Sequence, residues 1–246
     1  ELRQILEDKG HRFATHTDTE VIVHGYEEYG TDVVRYLRGM FAFAVWDSKE
    51  ERLLLARDRP GIKPLHYYKD DEKFLFGSEI KSILQCERVP REVNLEALDR
   101  FLTFEYVFSP ETIFQGIHKL LPGHFLLLNK DGSFHIEQYW DVLPEPDDAL
   151  DEKEYAQHLT ELLEESVKMR MISDVPLGAL LSGGVDSSSI VAFMARHSER
   201  PVKTFSIGFE EQSYNELEYA RLVSKQYGTE HHEFIIKPDA VDLVEK

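Results

Sequence analysis

The sequence contains one cysteine, Cys86. No disulfide can form within the chain, and a reducing compartment fits. Basic residues are scarce: 28 Lys and Arg stand against 46 Asp and Glu, a formal net charge of −18. Phosphate neutralisation along a nucleic acid needs basic patches, and none stands out, so a nucleic-acid partner is not expected. No apolar run is long enough to span a bilayer, and no basic-then-apolar leader opens the sequence. No membrane association is expected, and an acidic, self-repelling cytoplasmic surface is. There is no internal repeat and no low-complexity tract.

What remains is ample for a packed protein. Hydrophobic residues make up 42% of 246 and aromatics 11%, enough to bury a core. The two parts of the chain follow different patterns. Residues 1–142 read as antiparallel β with helices. "ELRQILEDKG" is a helix already under way, with Leu2, Ile5 and Leu6 as its apolar stripe. Thr17, Asp18, Thr19 and Glu20 have capping-box spacing ahead of a helix that Gly30 closes. "MFAFAVWD" and "RLLLARDR" are apolar strands split by a charged turn, and "PLHYYKDDEKFLFGSE" repeats the pattern. "HFLLLNKDGSFHIEQYW" is the clearest hairpin, turning at Asp131–Gly132. Several of these strands are apolar at nearly every position, which predicts a sheet covered on both faces.

Residues 143–154, "LPEPDDALDEKE", hold two prolines and a burst of acid and read as a linker. From 155 onward, helix and strand alternate. A long helix carries Tyr155, Leu159, Leu162, Leu163 and Val167 at helical spacing. Then come "LGALLS" as a buried strand, "SSIVAFMARHS" as a helix, "VKTFSIGF" as a strand, "ELEYARLVSKQYG" as a helix and "HHEFII" as a strand. This order predicts a parallel sheet with helices on both faces. The last residues, "KPDAVDLVEK", start another amphipathic helix, so the sequence is expected to be a piece of a longer protein.

The stretch most charged with chemistry is "LLSGGVDSSS", at the carboxyl end of a parallel strand, where open α/β sheets bind ligands. The following helix offers free N–H groups and the positive end of its dipole to a phosphate. Gly183 and Gly184 permit positive φ and close backbone approach to a ligand. Ser182, Ser187 and Ser188 supply hydroxyls. Asp186 repels phosphate unless it acts through a cation such as Mg²⁺. The loop has no lysine, which excludes the P-loop pattern.

Here a resemblance enters. "SGGVDSS" resembles the pyrophosphate loop of the ATP pyrophosphatases. "RGMFAFAVWD", "RDRPGIKPLHYY", "FGSEIKSIL" and "LLPGHFLLL" resemble the glutaminase domain of the glutamine-hydrolysing asparagine synthetases, and "SDVPLGALLSGGVDSS" resembles the start of their synthetase domain. The resemblance implies an α+β Ntn-hydrolase-like sandwich at 1–142, a class II glutamine amidotransferase part. It implies an α/β ATP-pyrophosphatase part of the adenine nucleotide alpha hydrolase type at 155–246, both incomplete. It further implies that glutamine supplies ammonia, that ATP adenylates the aspartate β-carboxylate, and that ammonia displaces AMP. Ser182, Gly183, Gly184, Asp186, Ser187 and Ser188 would hold pyrophosphate, with Asp186 at the metal. Leu181, Ile207 and Gly208 would contact adenine and ribose, and Asp18 the glutamine amino group. Arg57 and Asp58 are read as structural, and Glu79 as structural or near a tunnel or interface. A homodimer is compatible with the resemblance.

The family's nucleophile is an N-terminal cysteine with its own α-amino group as base. This sequence begins with Glu1, so no residue of it is assigned to catalysis, and by itself it is expected not to hydrolyse glutamine. Three alternatives stay open: a related amidotransferase, a β-lactam synthetase acting on another carboxylate, or a non-catalytic nucleotide-binding fragment. Among the remaining candidates, His231, His232 and Glu233 alternate across a strand and are read as structural rather than metal-binding. Cys86 is read as an inert thiol. His11 and His16 show no convincing partners.

Overall fold

A computed structural model describes residues 1–146, 150–209 and 216–236. Residues 147–149, within the expected linker, and the helix expected in "KPDAVDLVEK" lie outside the described residues. The chain divides into two compact units, Glu1–Pro144 and Glu145–Lys246.

The first unit opens with α1 (Leu2–Asp8) and α2 (Asp18–Tyr29), followed by α3 (Val33–Tyr36). Strands β1 (Ala42–Asp47), β2 (Arg52–Arg57), β6 (His124–Leu128) and β7 (Phe134–Gln138) form an antiparallel sheet in the order β1-β2-β6-β7. A second antiparallel sheet has β3 (His66–Lys69) between β4 (Phe74–Gly77) and β5 (Ile117–Lys119). Helices α4 (Ile80–Ile83) and α5 (Leu95–Phe104) lie between β4 and β5 in the chain.

The continuous apolar runs of β2 and β6 have a direct cause. Side chains alternate across a sheet. Leu54 and Ala56 point with Phe125 and Leu127 into one core, shared with Tyr26, Val33 and Val34 of the helices. Leu55 and Leu126 point the other way, onto Leu65, Tyr67 and Leu120, so the second sheet packs against the first. Each fully buried leucine stabilises the unit by about 1.5–3 kcal/mol. Double coverage holds for these central strands and not for the edges: Trp46 of β1 is exposed and β7 is exposed throughout.

The corner after β2 is built round a fully buried carboxylate, that of Asp58. The Asp58 carboxylate accepts the backbone N–H groups of Phe41 (3.1 Å), Ile62 (2.8 Å) and Lys63 (2.9 Å). The Arg57 guanidinium donates to the carbonyls of Lys63 (2.8 Å), Gly61 (2.8 Å) and Leu120 (2.6 Å). The Tyr139 hydroxyl donates to the Arg57 carbonyl at 2.7 Å, and burial pushes its pKa up to about 12. Both residues thus tie loops together, in line with the structural reading.

In the second unit, α6 (Glu152–Arg170) begins inside the segment expected as linker. Asp151 accepts the Glu154 N–H, and the Glu154 side chain accepts the Asp151 N–H, a complete capping box. The expected stripe is covered only near the carboxyl end: Val167 is buried and Leu163 packs beside it, whereas Tyr155, Leu159 and Leu162 are exposed. Then follow β8 (Gly178–Leu180), α7 (Val185–His197), β9 (Lys203–Phe209), α8 (Leu217–Tyr227) and β10 (Glu230–Ile236). The strands are parallel in the order β10-β9-β8.

Two expectations need correction here. First, β8 is an edge strand among the described residues and largely exposed, not buried. Second, the described helices cover one face of this sheet, not both. Ala179 and Leu181 pack with Val191 of α7 and Ala220 of α8, and Ala179 also meets the cluster of Val167, Phe193 and Met194. On the same face Thr204 and Ser206 are buried. On the opposite face Leu180, Ile207, Phe209, Phe234 and Ile236 remain exposed. Apolar content alone does not reveal which face of a strand is covered.

Candidate active site

The loop after β8 is pinned at its start. The Leu181 N–H donates to the Phe205 carbonyl at 2.9 Å, and the Ser206 hydroxyl donates to the Leu181 carbonyl. Leu181 itself is buried. From there the chain folds on its own hydroxyls. Ser182 and Ser187 hydroxyls lie 3.0 Å apart, and the Ser182 N–H donates to Ser187 Oγ at 3.3 Å. The Gly184 N–H donates to Ser182 Oγ at 3.3 Å, and the Ser187 hydroxyl donates to the Gly184 carbonyl at 3.2 Å.

The two glycines differ. Gly183 has φ +87°, a region that side chains avoid. A Cβ there would lie 2.4 Å from Tyr219 Cβ and 2.6 Å from the Ala220 nitrogen. The close approach that requires glycine is therefore to the backbone of α8, not to a ligand. Gly184 has φ −68° and serves as N-cap of α7, so the expected positive φ does not occur there.

No side chain caps α7, so its first N–H groups and the positive end of its dipole are presented at the loop. Asp186 is exposed in that first turn. The Ser188 hydroxyl is buried without a hydrogen-bond partner. Beside the loop lies an open cleft of about 300 Å³, lined by Leu180, Leu181, Ser182, Ser187, Phe205, Ser206, Ile207, Glu216 and Leu217. It gathers Leu181, Ser182, Ser187 and Ile207 of the residues singled out in the sequence. Gly183, Gly184, Asp186, Ser188 and Gly208 are not in its lining; Gly208 is buried, one residue on from exposed Ile207 and so on the opposite face of β9. Phe205 and Ser206 of the lining belong to the "FSIG" segment that the resemblance assigns to adenine and ribose, chiefly through Ile207 and Gly208; sequence reasoning missed Glu216 and Leu217, which carried no signal.

Asp18 is the exposed first residue of α2. The capping box expected there is half-formed. Thr17 accepts the Glu20 N–H at 3.4 Å. The Glu20 carboxylate, however, turns to the preceding loop and accepts the N–H groups of Ala14 (2.6 Å) and Thr15 (2.7 Å) and the Thr15 hydroxyl. Those bonds, that of the hydroxyl first, lower its pKa to about 2. Glu79 is exposed and pairs with Lys81 at 2.6 Å. Cys86 packs at the margin of an apolar cluster around Ile83 and Val89. His231 accepts or donates at Thr204 Oγ1 (2.9 Å), while His232 stacks on Phe205, so the two point to opposite faces of β10.

Comparison with known proteins matches the same two stretches. Residues 1–140 match the family model described as glutamine amidotransferase domain, and residues 158–246 the one described as asparagine synthase. The chain belongs to the glutamine-hydrolysing asparagine synthetase family. Asparagine synthetase [glutamine-hydrolyzing] 3 of Bacillus subtilis is 38% identical over 100% of this chain and 42% of its own length. Asparagine synthetase [glutamine-hydrolyzing] 1 of the same organism is 36% identical over 97% of this chain and 37% of its own. A putative asparagine synthetase [glutamine-hydrolyzing] 2 of Methanocaldococcus jannaschii is 36% identical over 94% of this chain and 46% of its own. The chain thus spans less than half the length of these asparagine synthetase relatives. Both expected fold classes hold for this family member, the antiparallel sandwich first and the parallel sheet second. Among the described residues, no helix is long and apolar enough to cross a membrane.

Proposed function

We propose that this chain is part of a cytoplasmic enzyme that makes asparagine from aspartate, ATP and glutamine. In this reading residues 1–142 belong to the glutaminase, which releases ammonia, and 155–246 to the synthetase, with 143–154 joining them. Adenylation of the aspartate β-carboxylate by ATP gives β-aspartyl-AMP and pyrophosphate. A carboxylate is a poor electrophile, and AMP is a good leaving group for the incoming ammonia. Asp18 is assigned to the amino group of glutamine.

The observation that carries the reading is the uncapped start of α7, directly after a parallel strand and beside a cleft lined by Leu181 and Ile207. The helix N–H groups and the hydroxyls of Ser182, Ser187 and Ser188 suit phosphate oxygens. The unpartnered Ser188 hydroxyl fits a loop made for a further polar group. Leu181 and Ile207, with Gly208 next in the strand, are assigned to the nucleoside, and Gly183 and Gly184 to the turn that shapes the loop. Exposed Asp186 suits Mg²⁺, which would neutralise charge building on departing pyrophosphate.

The test uses the full-length protein. Pyrophosphate release with aspartate and glutamate release from glutamine are measured in wild type and Asp186→Asn. Loss of one preorganised electrostatic contact is expected to lower pyrophosphate release by roughly two to four powers of ten, with glutamate release largely intact. Unchanged pyrophosphate release would remove the assigned role.

A further inference from the structure

Away from that loop, α1 and α2 meet through a cluster that the synthetase chemistry does not use. His11 lies three residues beyond the end of α1, its N–H donating to the Leu6 carbonyl at 3.1 Å. His24 and Glu27 lie three residues apart on one face of α2. The Glu27 carboxylate stands between the two rings, with Oε2 2.7 Å from His24 Nδ1 and 3.5 Å from His11 Nδ1. One ligand atom from each of His11, His24 and Glu27 falls within 4.8 Å of the others.

The outward nitrogens are also provided for. His11 Nε2 lies 3.2 Å from Glu28 Oε2, and His24 Nε2 lies 3.8 Å from Glu20 Oε1. A carboxylate behind each imidazole is the arrangement that orients histidines bound to a metal and raises their basicity. Both rear carboxylates are themselves anchored, Glu28 by the Lys9 ammonium at 2.5 Å, and Glu20 by the Thr15 hydroxyl and the Ala14 and Thr15 N–H groups. The rings are half-buried, His24 packing edge-on against Phe13 at 4.7 Å, whereas Glu27 is exposed. A route from solvent is therefore open.

We propose that His11, His24 and Glu27 bind a zinc-like divalent cation that ties α1 to α2. Two neutral imidazoles and a carboxylate match the ligand preference of zinc, and a water completes four-coordination. Bonds of about 2.0–2.1 Å in a tetrahedron set ligand atoms roughly 3.3 Å apart. The 3.5 Å pair already fits. The 2.7 Å pair widens on exchanging its proton for the metal, and side-chain rotation closes the rest.

The probe is Zn²⁺ alone, titrated into the full chain in competition with a chromophoric chelator. One saturable Zn²⁺ per chain is expected, with a matching rise in the thermal midpoint. Glu27→Gln, at an exposed position that leaves the fold intact, should weaken binding at least tenfold, and His24→Gln should abolish it. Glu28→Gln, behind His11, should weaken it about 10–100-fold. His16→Gln, outside the cluster, should change nothing. Absence of saturable binding would mean that the cluster is an ion-pair network only. Equal affinity in wild type and Glu27→Gln, or an equal loss in His16→Gln, would place the zinc elsewhere. Either result overturns the proposal without touching the ATP-loop assignment.

Discussion

Asp58 is the residue on which the first unit should depend most sharply. Its buried carboxylate collects three backbone N–H groups from two separate loops: Phe41 before β1, and Ile62 and Lys63 after β2. Oδ2 serves Phe41 and Lys63, and Oδ1 serves Ile62. Asp58→Ala removes every acceptor at once. A buried donor left without a partner costs about 1–3 kcal/mol. Three such donors share one network, so their costs do not simply add; about 3–5 kcal/mol is the expected loss. Native domains are stable by about 5–15 kcal/mol, so this substitution brings the unit near its threshold. Asp58→Asn keeps one oxygen. Turned toward Phe41 and Lys63, it preserves two bonds and sets an NH₂ against the Ile62 N–H, for a loss of about 1.5–3 kcal/mol.

The ordering Ala worse than Asn worse than wild type is therefore the signature. Urea unfolding followed by tryptophan fluorescence reads it cleanly, because both tryptophans, Trp46 and Trp140, belong to the first unit. The midpoint should fall in that order with the slope unchanged. If Asp58→Ala costs less than about 1 kcal/mol, or no more than Asn, the three N–H groups have other partners and the reasoning fails.

Two more outcomes follow from the same kind of geometry. Glu20 has its pKa lowered to about 2 from an ordinary 4.5, so its contribution is complete above pH 4.5 and lost as pH falls toward 2. Glu20→Gln should be less stable than wild type by the same fluorescence assay at neutral pH, and the gap should close over that acid range; a gap independent of pH would refute the linkage. Gly183→Ala combines a positive φ with a Cβ driven into the α8 backbone. A loss of at least about 2 kcal/mol is expected, read as roughly thirtyfold faster amide exchange in α7 and α8. Unchanged exchange would mean that α8 yields freely.

Local chemistry was legible in this sequence wherever neighbours along the chain decide the outcome. The hairpin at Asp131–Gly132, the caps at Thr17 and Gly30, and the strand–helix alternation after 155 all have that character, and each is present. What escaped depends on residues far apart in the chain. Glu20 has the spacing of a capping box, yet two loop amides and a threonine hydroxyl outbid the single N–H at Thr17. Gly183 reads as a ligand-facing glycine, yet its need for glycine comes from Tyr219 and Ala220, dozens of positions away. His11 has no partner within α1; its partners Glu27 and Glu28 arrive only once α2 packs against it. The uncovered face of the second sheet follows the same logic. The strand–helix alternation predicts helices on both faces, while only α6, α7 and α8, all on the Ala179 side, are among the described elements; in "TFSIGF" that side carries Thr204 and Ser206, and the side left open carries Phe205, Ile207 and Phe209. Coverage is a property of what packs against a strand, and a strand's own residues state only that something can.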